Sequence, residues 1–559
     1  MTGNAEATYG RFSDRRLRGY VTGPLSEKVG FSLAGTYRKT GGYYKKVNLT
    51  NPAALDGRTL GMDQQSVRAK IKASLTDTFT ATIGYNFIRS SDPRGTYFTP
   101  VENLSAGYPI RQLGEVAGDA FKLDFRQHEA SLKLELETGI GTLRSVTGYQ
   151  KSNLVTQYDS DGRYSTAGAS SATETISDSK ILGRSWQENL DFTINAIDRL
   201  DLILGATYFQ NKEGFAPGRA NANYWFPTGN AAAGPGTPLS AYTKISESDS
   251  DRTKKAWAAF FDATFHATDR LTINVGGRYS SETQNISAKK TCYIVQFSLG
   301  CPVTTAVPAI RYDASARSKY SKFTPRASIR FEVSPRTNVY ATYSQGFKAG
   351  EWNGVIPGDD PANWFKNGQI GQESINAYEV GLKSGGGRVR FDLSGFYYDY
   401  KDLQISSVQF VNGVTSVLLQ SIPKARIYGL EGNVEFDVTD NFKVRAGGTW
   451  LDAKYGAGAI YRGGGVDPSL AVAAPNADDP LKGLRNTSPV APLYQDISGT
   501  QLVRAPDFTG YIGAEYNIPK GDGGIRIAAN VKYTTSYVPT DAAIWGGEQP
   551  ASYLARQAT

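Results

Sequence analysis

The stretch RFDLSGFYYDYKDLQ, residues 390–404, decides the fold class, because its side chains alternate in character before they become aromatic. Counted along an extended chain, Phe391 and Leu393 fall on one side, and Arg390 and Asp392 fall on the other. A period of two residues is typical of a β-strand whose two faces meet different environments. The stretch therefore predicts a strand that separates an apolar environment from a polar one.

The same alternation recurs along the chain. Residues 67–75 and 79–87 alternate in this way and flank a tight turn, so they predict a hairpin. We predict nine such hairpins, with turns near residues 26, 77, 140, 197, 268, 335, 386, 440 and 520. The turns contain sequences such as NAIDR, SGGG and PKGDGG, which favour tight turns. The third hairpin is the weakest of the nine, because its second strand alternates poorly.

The connections between hairpins are unusually long. They are polar stretches of roughly 25–55 residues, whereas connections in compact domains have a median of about 4–6 residues. Short turns and long loops therefore alternate strictly. This asymmetry is typical of an antiparallel transmembrane β-barrel with short turns on one side and long loops on the other.

The apolar phase of the strands is nearly free of charge. In eight of the nine hairpins its assignable positions hold no charged residue. A basic side chain facing lipid at mid-membrane costs about 2–4 kcal/mol. A one-residue slip of the strand at 67–75 would place Arg68, Lys70 and Lys72 in lipid, at a cost of roughly 6–12 kcal/mol. The phase is thus strongly specified.

The phase also sorts individual residues between the two faces. Those predicted to face lipid are Leu202, Leu204, Phe261, Ile273, Phe391 and Val444. Those predicted to face the lumen are Arg278, Arg390, Asp392 and Arg445.

An aromatic residue ends the second strand of each hairpin, just before its long loop. Amphipathic rings favour the headgroup region of a bilayer, so these residues predict an aromatic girdle on the long-loop side. The predicted girdle consists of Tyr37, Phe87, Tyr149, Tyr208, Tyr279, Tyr343, Tyr397, Trp450 and Tyr533.

Composition argues against several other functions. The net charge of +8 is modest for 559 residues and forms no basic block, so no nucleic-acid partner is predicted. His128 and His266 stand far apart without metal-ligand spacing, so we interpret them as polar residues at strand ends. No catalytic residue, metal site or cofactor is predicted. The glycine-rich SGGGR at 384–388 joins two strands and is interpreted as a turn.

Several stretches resemble TonB-dependent outer-membrane receptors. They are RLRGYVTGPLSEKVGFSLAGTYRKTGGYYKK (16–46), NVYATYSQGFKAGEWNG (338–354), INAYEVGLKSGGGRVRFDLSGFYYDYKDLQ (375–404) and ARIYGLEGNVEFDVTDNFKVRAGGTWLDAKY (425–455). The resemblance implies a barrel of about 22 strands around an N-terminal plug, with a segment that contacts the TonB energy complex. It also implies the outer membrane of a Gram-negative bacterium as location. The implied cargo is a ferric siderophore-type chelate, with cobalamin or an oligosaccharide as other ligands of such receptors.

The resemblance sets an expectation about the extent of the chain. Nothing before residue 10 corresponds to a plug, and the sequence MTGNAEATYG reads as a loop ahead of the first strand. We therefore expect residues 1–559 to be the β-barrel domain, truncated at both ends, with about 18 of 22 strands and without the plug. The alternatives are a passive outer-membrane porin and, as a third class, a soluble β-repeat binding protein.

The loops supply the candidate binding residues. Large aromatic side chains stand where polar residues would suffice, and these ligand-contact candidates are Tyr224, Trp225, Phe226, Trp352, Trp364 and Phe365. The alternative is that they pack the loops on one another. GFKAG (346–350) is expected to shape the backbone rather than to bind. Cys292 and Cys301, the only cysteines, are predicted to form a disulfide within one loop, because outer-membrane proteins mature in an oxidising compartment.

Overall fold

The structure is a computed structural model that describes most of the chain. The described residues are 1–42, 44–48, 55–59, 61–92, 112–115, 122–159, 173–215, 221–227, 243–293, 309–353, 368–411, 414–462, 494–521 and 523–538. Their regular structure is almost entirely β, as the alternating pattern predicts. None of these residues lies in a helix long and apolar enough to cross a membrane.

Strands follow one another through the first part of the chain. They are β1 Thr2–Gly10, β2 Asp14–Ser26, β3 Val29–Thr40, β4 Tyr44–Asn48, β5 Leu55–Thr59, β6 Met62–Ser74, β7 Phe79–Asp92, β8 Gln112–Glu115, β9 Lys122–Thr138 and β10 Gly141–Asp159. A 3-10 turn, Arg11–Ser13, joins β1 to β2.

The middle part contains the longest strands. They are β11 Thr173–Ile197, β12 Leu200–Phe215, β13 Asn221–Pro227, β14 Thr243–His266, β15 Leu271–Cys292, β16 Ala309–Ser334 and β17 Thr337–Lys348. The last part contains β18 Glu351–Trp352, β19 Gln369–Ile370, β20 Glu373–Ser384, β21 Val389–Val411, β22 Val414–Asp437, β23 Phe442–Tyr455, β24 Ile460–Arg462, β25 Tyr494–Asp496, β26 Phe508–Lys520 and β27 Gly523–Thr534.

The chain forms two compact units. Unit 1 comprises Met1–Phe192, Gly205–Trp257 and Glu282–Lys319, and unit 2 comprises Thr193–Leu204, Ala258–Ser281 and Tyr320–Thr559. In unit 1 the strands β1, β2, β3, β6, β7, β9 and β10 pair in that order, each antiparallel to the next. Strand β13 pairs with both β11 and β14. In unit 2 the strands β16, β17, β20, β21, β22, β23, β26 and β27 form an antiparallel ladder.

All nine predicted hairpin turns fall between consecutive strands. The third hairpin, the weakest in sequence, is paired along its length, because β9 and β10 are in register from Gly141↔Thr138 to Gln157↔Lys122. The third hairpin therefore forms a regular backbone ladder, although the side chains of its second strand alternate poorly.

The first ten residues correct the sequence prediction. They were expected to be a loop, but Thr2–Gly10 form β1, which is in register with β2 from Thr2↔Thr22 to Gly10↔Asp14. The alternation exists in Gly3, Ala5 and Ala7, but glycine and alanine contribute little apolar area and are depleted in strands. Strand β13 was also missed, because it lies within a stretch interpreted as loop.

The register divides each ladder into an apolar and a polar face. In unit 2 Phe391 lies opposite Val434, which lies opposite Ala446 of β23. On the other face Arg390 lies opposite Glu435, which lies opposite Arg445. The predicted sorting of Phe391, Val444, Arg390, Asp392 and Arg445 agrees with this register.

The apolar face is unusually exposed for a protein sheet. Leu393 is 51% exposed, Val380 60% and Ile512 55%, although all three lie within ladder strands. A contiguous apolar surface of this kind marks a membrane or protein interaction face. The polar face is instead crossed by ion pairs: Arg390 pairs with Glu435 and Asp437, and Arg445 pairs with Glu435 and Glu515.

Candidate membrane belt and ligand-binding site

A continuous row of aromatic rings crosses the apolar face of unit 2 at its long-loop end. Register places Tyr343, Tyr378, Tyr397 and Tyr428 opposite one another on four consecutive strands. Neighbouring ring centroids are 5.1, 6.4 and 6.5 Å apart, and Trp450 meets Tyr428 edge to face at 6.0 Å. Such separations are those of interacting aromatic pairs. We call this row the aromatic belt of unit 2.

The belt contains more residues than the sequence predicted. Tyr343, Tyr397, Trp450 and Tyr533 end the second strands of hairpins and were expected there. The first strands add Tyr378, Tyr428 and Phe508, and Phe508 lies 6.3 Å from Tyr533. These residues share the apolar phase of their strands, so reading the phase of both strands in each hairpin would have found them.

Unit 1 has a corresponding belt that includes a histidine. Tyr85 lies opposite Ala130, which lies opposite Tyr149, and Phe87 lies opposite His128. The His128 ring is 5.0 Å from that of Phe87, and its Nδ1 is 2.8 Å from the Tyr85 hydroxyl. His128 is therefore a member of the apolar-face belt.

The remaining predicted girdle residues are partly exposed. Tyr37 is opposite Leu17 and is half-buried, while Tyr208 is 39% exposed and Tyr279 is 43% exposed. That these rings lie at a membrane surface stays a prediction.

Glu188 places a carboxylate on the apolar face of unit 1. Glu188 accepts hydrogen bonds from the hydroxyls of Ser145 and Thr147, which share the face of Tyr149. Because both carboxylate oxygens accept hydrogen bonds, part of the cost of placing this charge on an apolar face is offset.

Aromatic side chains also lie on the polar face of unit 2, from the level of Ser394 to just beyond the aromatic belt. Tyr340, Phe396, Tyr398 and Tyr400 are half-buried there, and we call them the polar-face aromatic patch. The rings of Phe396 and Tyr398 stack at 5.0 Å.

A carboxylate and an ammonium group lie next to Tyr340. Its hydroxyl donates a 2.6 Å hydrogen bond to Glu379, and Lys383 Nζ stands 5.1 Å from the ring centroid. Gly381 lies opposite Tyr340, and an added Cβ there would come within 2.5 Å of that ring. The absence of a side chain at Gly381 therefore leaves the space that the Tyr340 ring occupies.

The patch is the functional candidate that sequence reasoning missed. The sequence predicts a girdle role for Tyr397 in the run FYYDY (396–400) and assigns no role to the other aromatic residues of that run. Only Tyr397 lies on the apolar face, whereas Phe396, Tyr398 and Tyr400 take the phase of Arg390 and point to the polar face. The stacked rings lie beside the Glu379 carboxylate, which is opposite Phe396, and such a surface suits a flat, polar small molecule.

The predicted loop aromatics are only partly described. Trp352 is 6% exposed in β18, which supports the loop-packing alternative for this residue. Residues 224–226 belong to β13, but their side chains lie outside the described part of the structure, as do Trp364 and Phe365.

The described residues on either side of 354–367 are held by side-chain hydrogen bonds. Gln404 Nε2 donates to the carbonyls of Ala349 and Gly371, at 3.0 and 2.8 Å. Asn353 exchanges two hydrogen bonds with the backbone of Leu419, at 2.9 and 2.7 Å. Polar side chains of β21 and of Asn353 therefore fix the backbone near Ala349, Gly371 and Leu419.

The GFKAG stretch has a structural role at its last residue. An added Cβ at Gly350 would lie 2.2 Å from the Ile370 carbonyl oxygen and 2.5 Å from the Tyr320 ring. Only glycine allows this close approach, which agrees with the expectation that GFKAG shapes the backbone.

A charged cluster lies at the long-loop end of unit 1, beside Cys292. Glu247 accepts a 3.0 Å hydrogen bond from the Tyr293 hydroxyl and pairs with Lys244, whose Nζ is also 4.9 Å from the Tyr293 ring. Burial and the neighbouring Glu247 raise the pKa of Asp249. Burial and the hydrogen bond to Glu247 raise the pKa of Tyr293.

Cys292 itself is disulfide-bonded and 4% exposed. Cys301, the other cysteine of the sequence, lies outside the described residues, so the pairing of the two stays a prediction. Within the described ranges, no group of three or more His, Cys, Asp or Glu side chains is placed to hold a metal ion.

Comparison with known proteins decides between the fold alternatives. The family model described as TonB dependent receptor-like, beta-barrel, matches residues 66–555. The chain belongs to this family. Members of the family are outer-membrane β-barrel proteins of Gram-negative bacteria, and the match disfavours a passive porin.

Solved structures share the fold at low sequence identity. The ferric yersiniabactin uptake receptor of Yersinia pestis has a TM-score of 0.67 at 14% identity, covering 96% of this chain and 68% of that protein. The siderophore receptor PiuA of Acinetobacter baumannii has a TM-score of 0.62 at 13% identity, with coverages of 96% and 72%. A copper transporter, OprC, has a TM-score of 0.60 at 11% identity, with coverages of 97% and 68%, so the fold alone does not determine the cargo.

A curated relative is the rhizobactin receptor of Rhizobium meliloti (strain 1021). It is 25% identical over 219 residues, which are 35% of this chain and 26% of that receptor. The match thus spans about a quarter of the relative's length.

Proposed function

We propose that this TonB-dependent receptor barrel belongs to an outer-membrane importer whose cargo is a ferric chelate of the siderophore type. The observation that carries the proposal is the family match over residues 66–555. Relatives named as siderophore receptors support the cargo class, and the net charge of +8 suits an anionic chelate. The role is binding and transport, without a catalytic step.

The proposal assigns a task to each face of the sheets. The apolar face meets lipid, with the aromatic belts at the headgroup level on the long-loop side. The polar face lines the path of the ligand, where the polar-face aromatic patch stacks on the chelator. Energy comes from contact between the TonB complex and the plug segment of the whole receptor.

Uptake of iron-55 chelates tests the function. Cells that carry the full-length receptor as their only siderophore receptor are given siderophore-type ferric chelates, with labelled cobalamin and a malto-oligosaccharide as competing cargoes. We expect receptor-dependent uptake of at least one ferric chelate, abolished by deletion of TonB. Uptake that persists without TonB would instead identify a passive pore, and uptake of cobalamin or sugar alone would refute the iron cargo.

The patch gives a residue-level prediction. Replacing Phe396 and Tyr398 together with alanine is expected to weaken chelate binding about tenfold, since a stacked aromatic contact contributes about 0.5–1.5 kcal/mol beyond its buried area. The measurement is the Kd of the transported chelate for the purified receptor, by quenching of intrinsic fluorescence. Tyr516→Leu removes a ring from the apolar face and should leave the Kd unchanged. Equal affinities of the double alanine variant and the native receptor would exclude the patch.

A further inference from the structure

Three basic side chains follow one another along the polar face of β6. Arg68, Lys70 and Lys72 alternate with the apolar-phase residues of that strand, and all three are exposed. Residues two apart in a strand are separated by about 6.6 Å, so the three cations form a row roughly 13 Å long. The row descends towards the short turn that follows Ser74. We call Arg68, Lys70 and Lys72 the basic ladder.

The ladder has uncharged neighbours on both sides. The residues opposite it on the two neighbouring strands are Ala34, Ser32 and Gly30 on β3, and Asn86, Gly84 and Thr82 on β7. In the part of the chain that the structure describes, no carboxylate lies within ion-pair distance of a ladder cation. The sheet that carries these charges therefore does not neutralise them.

The acidic residue in the row of Arg68 is engaged by amide groups. Arg68 lies opposite Asn86, which lies opposite Glu129 of β9. Asn86 Nδ2 donates a 2.9 Å hydrogen bond to one oxygen of Glu129, and Gln127 Nε2 donates a 2.6 Å hydrogen bond to the other. Both carboxylate oxygens thus have amide donors, and the positive charge of the ladder remains available to a ligand.

The upper part of the ladder borders an open hollow on the same face. The hollow has a volume of about 350 Å³, and its lining includes Arg68, Lys70, Ser131, Gly148 and Gln150. An added Cβ at Gly148 would meet no atom within 4 Å, so the hollow is open at this position. Small-molecule sites are typically clefts of about 300–1,000 Å³, and the hollow falls within this range.

We propose that the basic ladder and the hollow beside it bind an anion that carries several separated carboxylates. Charge complementarity selects an anion, because guanidinium and ammonium groups bind carboxylates by charge-assisted hydrogen bonds. The spacing of the cations selects the kind of anion. A molecule with separated carboxylates reaches two ladder cations at once, whereas a single phosphate ion reaches one.

The inference rests on the proposed import function for its biological role, and it narrows the cargo to chelates that carry free carboxylates. The ladder begins next to Val67, which lies opposite the belt residue Phe87, and runs towards the short-turn end of the sheet. A carboxylate-rich cargo that passes along the polar face would therefore meet the three cations in succession. The polar-face aromatic patch of unit 2 consists of other residues and is a separate site.

Calorimetric titration of the full-length receptor with citrate tests the site, because citrate is a small polycarboxylate that needs no iron to bind. Loss of one hydrogen bond to a charged group weakens binding about tenfold or more, so Lys70→Gln alone should raise the Kd for citrate about tenfold. Arg68→Gln, Lys70→Gln and Lys72→Gln together should raise it about a hundredfold or more. Lys70→Arg keeps the charge and should bind citrate nearly as the native receptor does.

Matched controls separate this site from general electrostatics. Arg15→Gln, Lys39→Gln and Lys151→Gln together remove the same charge from apolar-phase rows and should leave the Kd for citrate unchanged. Gly148→Phe keeps every charge but fills the hollow, so it should abolish citrate binding. Inorganic phosphate should bind the native receptor about tenfold more weakly than citrate, because it reaches one cation.

Several results would overturn the proposal. They are an equal loss of citrate affinity in the two triple variants, native affinity in Gly148→Phe, and equal affinities for phosphate and citrate. Absence of citrate binding to the native receptor would also overturn it and would assign the ladder to carboxylates of the receptor itself. A heat-modifiability assay checks that each variant is folded before its Kd is interpreted.

The binding test and the import test fail separately. Citrate binding is measured without uptake, so its failure leaves the import proposal standing. A receptor that binds citrate at the ladder but imports no ferric chelate would refute the import proposal alone.

Discussion

Replacing Leu393 with arginine is expected to lower the free energy of unfolding by about 2–4 kcal/mol, the cost of a basic residue facing lipid at mid-membrane. Leu393 is 51% exposed on the apolar face, between the short turn that precedes β21 and the belt residue Tyr397. The same substitution on a water-exposed sheet face would change stability by only about 0.5 kcal/mol. Its size therefore distinguishes a lipid-facing surface from a soluble one.

The matched control is the neighbouring residue on the same strand. Ser394 lies on the polar face, opposite Glu431, so an arginine there gains a carboxylate neighbour. Ser394→Arg should leave the unfolding free energy nearly unchanged. Both variants are measured by urea titration in lipid bilayers. If the two arginines cost the same, the assignment of the apolar face to lipid is wrong.

The second large effect concerns the disulfide of Cys292. Closing a loop with eight residues between Cys292 and Cys301 stabilises the fold by roughly 2.5–3 kcal/mol in the chain-entropy model. Replacing Cys292 with serine should therefore lower the free energy of unfolding by about that amount. Cys301→Ser should have the same effect, and the double variant should lose no more than either single variant.

Two further measurements make the disulfide prediction strict. Thr291→Ser, one residue away, should leave stability unchanged, which shows that the effect belongs to the sulfur bridge. Reduction of the native protein with dithiothreitol should reproduce the serine variants. Labelling of both cysteines by a thiol reagent in the non-reduced protein would contradict the pairing.

The sequence predicts the strands well where side chains differ strongly between the faces. From residue 389 to residue 394 apolar and polar side chains alternate. A shift of the strand register by one residue would exchange the faces of the two sets. The pattern predicts strand β21 and also which of its side chains lie on the apolar face. It does so because contact with lipid on one face and with water on the other selects one phase. The short turns are predictable for a related reason, since glycine, aspartate and asparagine accept the backbone angles that tight turns require.

Other features depend on neighbours that one strand does not reveal. Strand β1 has small side chains and exists because β2 offers it a complete edge of hydrogen-bonding groups. His128 reads as polar in sequence, but the register brings it beside Phe87 and Tyr85. Glu188 is acceptable on the apolar face only because two hydroxyls from β10 reach it.

Some residues of the candidate binding site can be predicted from the sequence, and others become evident only from the strand register. The loop aromatics were identified by their residue type, and Trp352 proves to be buried in loop packing. The polar-face aromatic patch required the phase of FYYDY to be followed residue by residue, together with Tyr340 from a strand about 55 residues earlier. Such a site becomes visible only when the strands are assembled in register.

The central claim is that the two faces of these ladders meet lipid and water respectively. Nitroxide labels placed one at a time at residues 389–397 of the receptor in bilayers test it most directly. Labels at 389, 391, 393, 395 and 397 should be accessible to oxygen, which concentrates in lipid. Labels at 390, 392, 394 and 396 should be accessible to a water-soluble nickel chelate. Accessibility without this two-residue alternation, or with the two sets exchanged, would contradict the account.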